Sequence, residues 1–194
     1  MMGTTVQRRA DRVAEIISAA WELSRTQGIG GLSLHSLARE VGMRQPSLYV
    51  YFDSKHALYD AMFADGNRQL LERLDALDLP SAPRAALKAF MRAFVDFALE
   101  DTERGALMLQ RPVPGFEPSA ASMDHAQALM GRVVGLLQAA GLESQDDIDC
   151  FVAMVAGLVA AQSANEPGGD RWTRHLDRLT DMYLDEARRR HRRG

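Results

Sequence analysis

Residues 33–52 constrain the chain more than any other stretch, because they allow only two short helices separated by a tight turn. Leu34, Leu37, Ala38 and Val41 follow the i, i+3, i+4, i+7 spacing of one buried helical face. Gly42 then stands where a helix C-terminus needs a residue tolerant of positive φ, so the first helix ends there. Pro46 suits only the first turn of a new helix, where its missing N–H has no intrahelical partner to lose. A second helix is therefore predicted from about Gln45, with Leu48 and Phe52 facing inward. Arg44, Gln45, Ser47, Tyr49 and Tyr51 are left facing outward as a compact polar set.

At 194 residues the chain can hold one sizeable core, or a small domain sharing a helix with a larger one. It is rich in Ala and Leu and shows no sustained period-2 alternation, which predicts an all-helical protein. With 23 Lys and Arg against 26 Asp and Glu, the net charge of −3 does not by itself signal nucleic-acid binding. The local distribution differs: Arg8, Arg9, Arg12, Arg25, Arg39, Arg44 and Lys55 gather at the N-terminal part, while Asp146, Asp147 and Asp149 lie far away. This fits a small anion-binding head on a neutral or acidic body, with an ordinary solvated surface as the alternative. Cys150 is the only cysteine, which excludes an intrachain disulfide framework and a multi-cysteine zinc site. The N-terminus lacks the apolar core of a secretory signal and no stretch reads as a membrane span, so a cytoplasmic location is expected.

Val13, Ile16, Ile17 and Ala20 mark an amphipathic helix over 8–27, closed by Gly28. Ser33 is placed to cap the next helix, and its free N–H groups could receive a phosphate. Ser54 and Lys55 signal the start of a long helix running to about Leu77, with Gly66 as a weak point inside it.

The succession of a helix, the segment 33–42, then Gln45-Pro46-Ser47-Leu48-Tyr49-Val50-Tyr51-Phe52 and Ser54-Lys55-His56-Ala57-Leu58 resembles the DNA-binding domain of the tetracycline-repressor (TetR/AcrR) family of regulators. That resemblance implies an all-α fold with an N-terminal three-helix helix-turn-helix DNA-binding domain over 1–53. A long helix joins it to a helical effector-binding and dimerisation domain over 54–194. It implies a homodimer bound to a double-stranded DNA operator, and places Arg44, Gln45, Pro46 and Ser47 at base edges. Tyr49, Tyr51, Lys55 and Ser33 fall where phosphate is met. His35 occupies a position that reads a base in some members, usually through an arginine; an imidazole is shorter and mostly neutral.

The side-chain chemistry agrees with those roles. Gln pairs bidentately with adenine N6/N7, Arg with guanine O6/N7, and a Pro ring can touch a thymine methyl. Tyrosine hydroxyls reach phosphate on rigid stems. The alternatives are corner packing for Tyr49 and Tyr51, and a solvated or phosphate-bound side chain for Arg44.

Beyond Pro80 and Pro83, helices are predicted over 85–100, 102–111, 120–140 and 144–164, with a last one starting at Asp170. A loop is required at 112–118, where Pro112, Pro114 and Pro118 break any helix. Ala153, Ala156, Gly157, Ala160 and Ala161 give the penultimate helix a small-residue face, and the resemblance implies that this face meets its symmetry mate; packing within the chain is the alternative. The family likeness also implies an effector pocket, for which Phe94, Phe97, Met108, Phe116, Met123, Met130, Met154 and Trp172 are the candidates, gated by the Pro-rich loop. Few charged residues accompany them, so an apolar or weakly polar effector is expected. The histidines lack metal-ligand spacing, and no metal or cofactor is expected. The arginine-rich end, 188–193, reads as a solvated helix terminus, with a second nucleic-acid contact as the alternative.

A ligand-responsive DNA-binding regulator, acting as a repressor, is the leading reading. A helical protein-interaction module without DNA function is the alternative. An enzyme is less favoured, since no phosphate-cradling loop, metal cluster or paired nucleophile and base can be placed.

Overall fold

The structure is a computed structural model that describes residues 2–191, with side chains over residues 5–190. Arg192 and Arg193 of the arginine-rich end lie outside the described residues. Among the described residues all regular structure is helical: α1 (Met2–Gln27), α2 (Leu34–Glu40), α3 (Gln45–Leu48), α4 (Lys55–Asp75), α5 (Pro83–Glu100), α6 (Thr102–Leu109), α7 (Asp124–Ala139), α8 (Gln145–Asn165) and α9 (Leu176–His191). The all-α expectation is met.

The chain packs as two compact units, residues 1–68 with 103–124, and residues 69–102 with 125–194. Helix α4 contributes residues to both. The packing units are thus drawn differently from the functional division at residue 53, which is taken up under Proposed function.

In the first unit, Ile16, Ala20, Trp21, Leu32, Leu37, Leu48, Leu58, Tyr59 and Met62 form the core. Two polar groups buried with them find partners, as burial demands. The Tyr59 hydroxyl donates to the Ile29 carbonyl at 2.8 Å, and the Trp21 indole N–H donates to Asp65 at 3.0 Å. Helix α6 joins this unit through Glu103, whose carboxylate accepts the Ile29 amide. Gly66 has a packing reason: a Cβ there would lie 2.9 Å from Met108 Sδ. The segment after α6 is fastened to α4. Asp60 accepts hydrogen bonds from the Ser119 amide (2.7 Å), the Ser119 hydroxyl (2.7 Å) and the Ser122 hydroxyl (2.5 Å). These bonds hold 119–122 in turns, which is why α7 starts at Asp124 and not at Ala120 as the periodicity suggests.

In the second unit α5 packs against α8 and α9. Arg84, Lys88 and Arg92 sit four apart on α5 and face Asp177, Asp181 and Asp185, also four apart, on α9. One-turn spacing on both helices makes this a ladder of ion pairs. The expected helix from Asp170 gives way to a 3-10 turn at Thr173–His175, where the side-chain amide oxygen of the buried Gln162 accepts the backbone amides of Trp172 (2.9 Å) and Thr173 (3.4 Å). Ser144 caps α8 as expected, accepting the Asp147 amide at 3.1 Å.

Two expectations are corrected. Helix α8, at 21 residues, is long and apolar enough to cross a membrane by length and composition, contrary to the sequence reading. Its apolar residues divide between a buried face, with Ile148, Phe151, Val155 and Val159, and an exposed row of small residues. The arginine-rich end is not simply solvated. Arg190 donates to the buried Asp147 carboxylate at 2.7 Å, and Arg188 donates to the Ala140 carbonyl at 3.1 Å, so α9 ties down the junction of α7 and α8.

The effector candidates belong to both units. Met108, Phe116 and Met123 belong to the first unit, and Phe94, Phe97, Met130, Met154 and Trp172 to the second. Phe116 is buried against the rings of His56 and Tyr59, at centroid distances of 6.1 and 5.8 Å, and Met130 is exposed. A cleft of about 510 Å³ in the second unit is lined by polar groups including Arg73, Arg92, Glu100 and Arg174, and by none of the eight.

Two expectations about stability follow. Burial raises the Asp60 pKa, but the hydrogen bonds from Ser122 and Ser119 outweigh it and hold this carboxyl below its usual range. Because the folded value is the lower one, the stabilisation is complete above the unfolded pKa of about 3.9 and is lost as pH falls through the folded value. In urea unfolding, the difference between the parent and Asp60→Asn should hold from neutral pH down to about pH 5 and shrink below about pH 4; a difference unchanged down to the acid limit contradicts this role. Asp147→Ala should lower the unfolding free energy by about 1–3 kcal/mol, since it leaves Arg190 unpaired and removes a buried hydrogen-bonding carboxylate. A thermal midpoint equal to the parent's would show that Asp147 does not hold α8 and α9 together.

Candidate nucleic-acid interface

The candidate face is built from the two motif helices and the turn that follows them. Ser33 caps α2, its hydroxyl accepting the Ser36 amide at 3.5 Å. The helix closes with Gly42 at φ +65°, the Met43 amide bonding back to the Ala38 carbonyl (2.7 Å) and the Gly42 amide to that of Arg39 (3.2 Å). This double closure requires a left-handed residue, which glycine adopts without steric cost. It redirects the chain into α3, whose first turn carries Pro46 and whose preceding residue, Arg44, makes no side-chain cap bond.

Helix α3 is only one turn long. Its expected continuation to Phe52 is a turn in which the Tyr51 and Phe52 amides both bond to the Leu48 carbonyl, each at 2.9 Å. Leu48 and Phe52 are nonetheless buried, as their spacing predicts. Arg44, Pro46, Ser47 and Tyr49 are exposed, Gln45 and Tyr51 are half-buried, and His35 is exposed on α2. Tyr49 is 46% and Val50 62% exposed, so large apolar side chains stand on this surface among polar ones.

Lys55 is placed less simply than expected. Its ammonium donates to the Gly30 carbonyl at 3.2 Å and lies 5.4 Å from the Tyr59 ring centroid. An ammonium has three donors, so one bond to Gly30 leaves capacity for a phosphate.

Sequence reasoning placed Arg9 and Arg12 on the first helix but missed their contacts with the two motif helices. Arg9 donates to the Val50 carbonyl at 2.9 Å with its guanidinium 5.2 Å from the Tyr51 ring centroid. Arg12 donates to the Val41 carbonyl at 2.7 Å and also pairs with Glu15. Only the cluster of positive charge hinted at either contact.

Comparison with known proteins agrees with this geometry. Residues 16–62 match the model for bacterial regulatory proteins of the tetR family, and residues 87–187 match that for the tetracyclin repressor-like C-terminal domain. The chain is 32% identical over 137 residues to the HTH-type transcriptional regulator Mb1846 of Mycobacterium bovis, a match covering 67% of this chain and 57% of that protein. It is 27% identical over 164 residues to the class A tetracycline repressor from transposon 1721 of Escherichia coli, covering 80% of this chain and 69% of that one. A solved structure of a Rhodococcus sp. RHA1 protein of unknown function superposes with a TM-score of 0.72 at 25% identity, over 88% of this chain and 92% of the other. The second of the two family models alone spans more than half of the sequence, and together they take in both the short-helix head and the helical body: the chain belongs to the TetR family of bacterial regulatory proteins.

Proposed function

We propose that this protein is a ligand-responsive transcriptional regulator, acting as a repressor, that binds a palindromic DNA operator as a homodimer. The observation that carries the reading is the exposed face of α3 and its following turn, where Arg44, Gln45, Pro46 and Ser47 stand beside Tyr49 and Tyr51. In this reading residues 1–53 form the DNA-binding part and 54–194 the effector-binding and dimerisation part. Arg44, Gln45, Pro46 and Ser47 meet base edges in the major groove, and His35 faces the same groove from α2. Ser33, Tyr49, Tyr51 and Lys55 meet the phosphates that fix register. Family membership supports this assignment, as does the name of the Mycobacterium bovis relative, an HTH-type transcriptional regulator.

Dimerisation is assigned to α8. Ala153, Ala156, Gly157 and Ala160 are exposed, with Ala161 half-buried beside them, so a second copy could approach closely along that row. Pairing there fixes the separation of two heads, and half-sites one helical turn apart, about 34–36 Å, suit the DNA-competent state. An effector that binds one head separation better than another shifts the population toward it. The tetracycline repressor's name supports ligand response. The effector is taken to be apolar or weakly polar, received among Phe94, Phe97, Met108, Phe116, Met123, Met130, Met154 and Trp172. The protein is placed in the cytoplasm, without membrane insertion, cofactor or catalytic turnover.

Binding to a duplex selected by the parent chain from a random library tests the reading by fluorescence anisotropy. Gln45→Ala should weaken binding by about 1–3 kcal/mol and relax sequence preference at one position of each half-site. Tyr49→Ala should weaken all sequences alike. Both variants should sediment as the parent does. Unchanged DNA affinity in both favours a protein-interaction module and removes α3 from the reading.

A further inference from the structure

A one-turn helix cannot fix its own direction, yet the pitch of α3 decides which base edges its side chains reach. The groups that hold its C-terminal end therefore bear on recognition as directly as those on its surface. Val50 and Tyr51 lie in the turn just after α3, and Val50 is too exposed to be held by burial. Arg9 reaches this turn from a residue forty-one positions earlier, donating to the Val50 carbonyl at 2.9 Å and covering the Tyr51 ring at 5.2 Å. Arg12, three residues on and thus on the same face of α1, donates at 2.7 Å to the Val41 carbonyl at the C-cap of α2. Two guanidinium groups from one helix face thus meet the C-terminal ends of both motif helices, where partial negative charge favours a cation.

We infer that Arg9 is a positioning residue for operator recognition: it clamps the turn after α3 through Val50 and Tyr51, so that Tyr51 meets phosphate in a fixed register, and it acts on DNA through that turn and not as a phosphate ligand of its own. This rests on the regulator reading. The chemistry of the clamp is specific to arginine. A planar guanidinium can lie over a ring while one N–H points in its own plane to a carbonyl; an ammonium is a point charge that does one or the other well. A phosphate contact, by contrast, needs only the positive charge near the backbone, and its loss shows in the salt dependence of binding.

Arg9→Lys keeps the charge, so the two roles are separated by its coupling to Tyr51 and by the charge-removing variant Arg9→Gln. Against the selected duplex, Arg9→Lys should weaken binding about twofold to fivefold, the scale of an exposed cation–π contact. In Arg9→Gln the slope of log affinity against log salt should stay at the parent's value, whereas a slope smaller by about 1 marks Arg9 as a phosphate ligand and overturns the positioning role. In a Tyr51→Ala background the Arg9→Lys effect should fall to less than twofold, because the ring it acts through is gone. Circular dichroism and the thermal midpoint of each variant confirm that folding is retained. Parent-like affinity in Arg9→Lys, or an Arg9→Lys effect undiminished by Tyr51→Ala, overturns the positioning role while leaving the regulator reading intact. A parent chain that selects no duplex above bulk DNA overturns the regulator reading, and the positioning role with it.

Discussion

The structure of the head depends on how a helix of one turn is held. Four residues cannot offset the cost of helix nucleation, so α3 exists because its surroundings fix it. Leu48 and Phe52 anchor its underside in the core, each contributing roughly 1.5–3 kcal/mol by burial. The closure at Gly42 sets the angle at which the chain enters it, and Arg9 holds the turn by which the chain leaves. The core needs inward residues at 48 and 52, and the positions facing away from the core are thereby free to carry Ser47 and Tyr49, with Gln45 half-buried at the start of α3.

That division explains what the sequence makes legible. Periodicity reports burial, so the inward faces of α1, α2 and α3 can be read from Ile16, Leu37 and Leu48, and glycine and proline mark the turn chemistry at Gly42 and Pro46. Contacts between residues distant in sequence leave no such trace. Arg9 reads as one more basic residue, and Tyr59 as one more aromatic, until the fold sets the first over Tyr51 and the second against Ile29. Helix bounds drift for the same reason. The start of α7 is displaced by three hydrogen bonds to Asp60, and the start of α9 by the side-chain oxygen of Gln162, and neither acceptor adjoins in sequence the segment it controls.

The second unit shows the converse case, in which charge pattern carries register. Three basic residues on α5 and three acidic ones on α9 repeat at one-turn intervals and form four ion pairs, so sliding either helix by one turn leaves a charged residue at each end without its partner. Burial of Leu176, Leu184 and Ala187 beneath them fixes the choice. Arg190 and Arg188 complete the attachment of α9 to the α7 and α8 junction, which gives a structural use to part of a run that looks, in sequence, like a frayed end. With α9 secured on one side of α8, its small residues Ala153, Ala156, Gly157 and Ala160 remain exposed.

Hydroxyl-radical footprinting of the parent chain on its selected duplex tests the central claim, that two α3 faces grip DNA at a separation fixed by α8. Two protected patches with centres about 10–10.5 base pairs apart, on one face of the duplex and related by the operator's two-fold axis, are the expected result. A single patch, or protection with no fixed spacing, would contradict it.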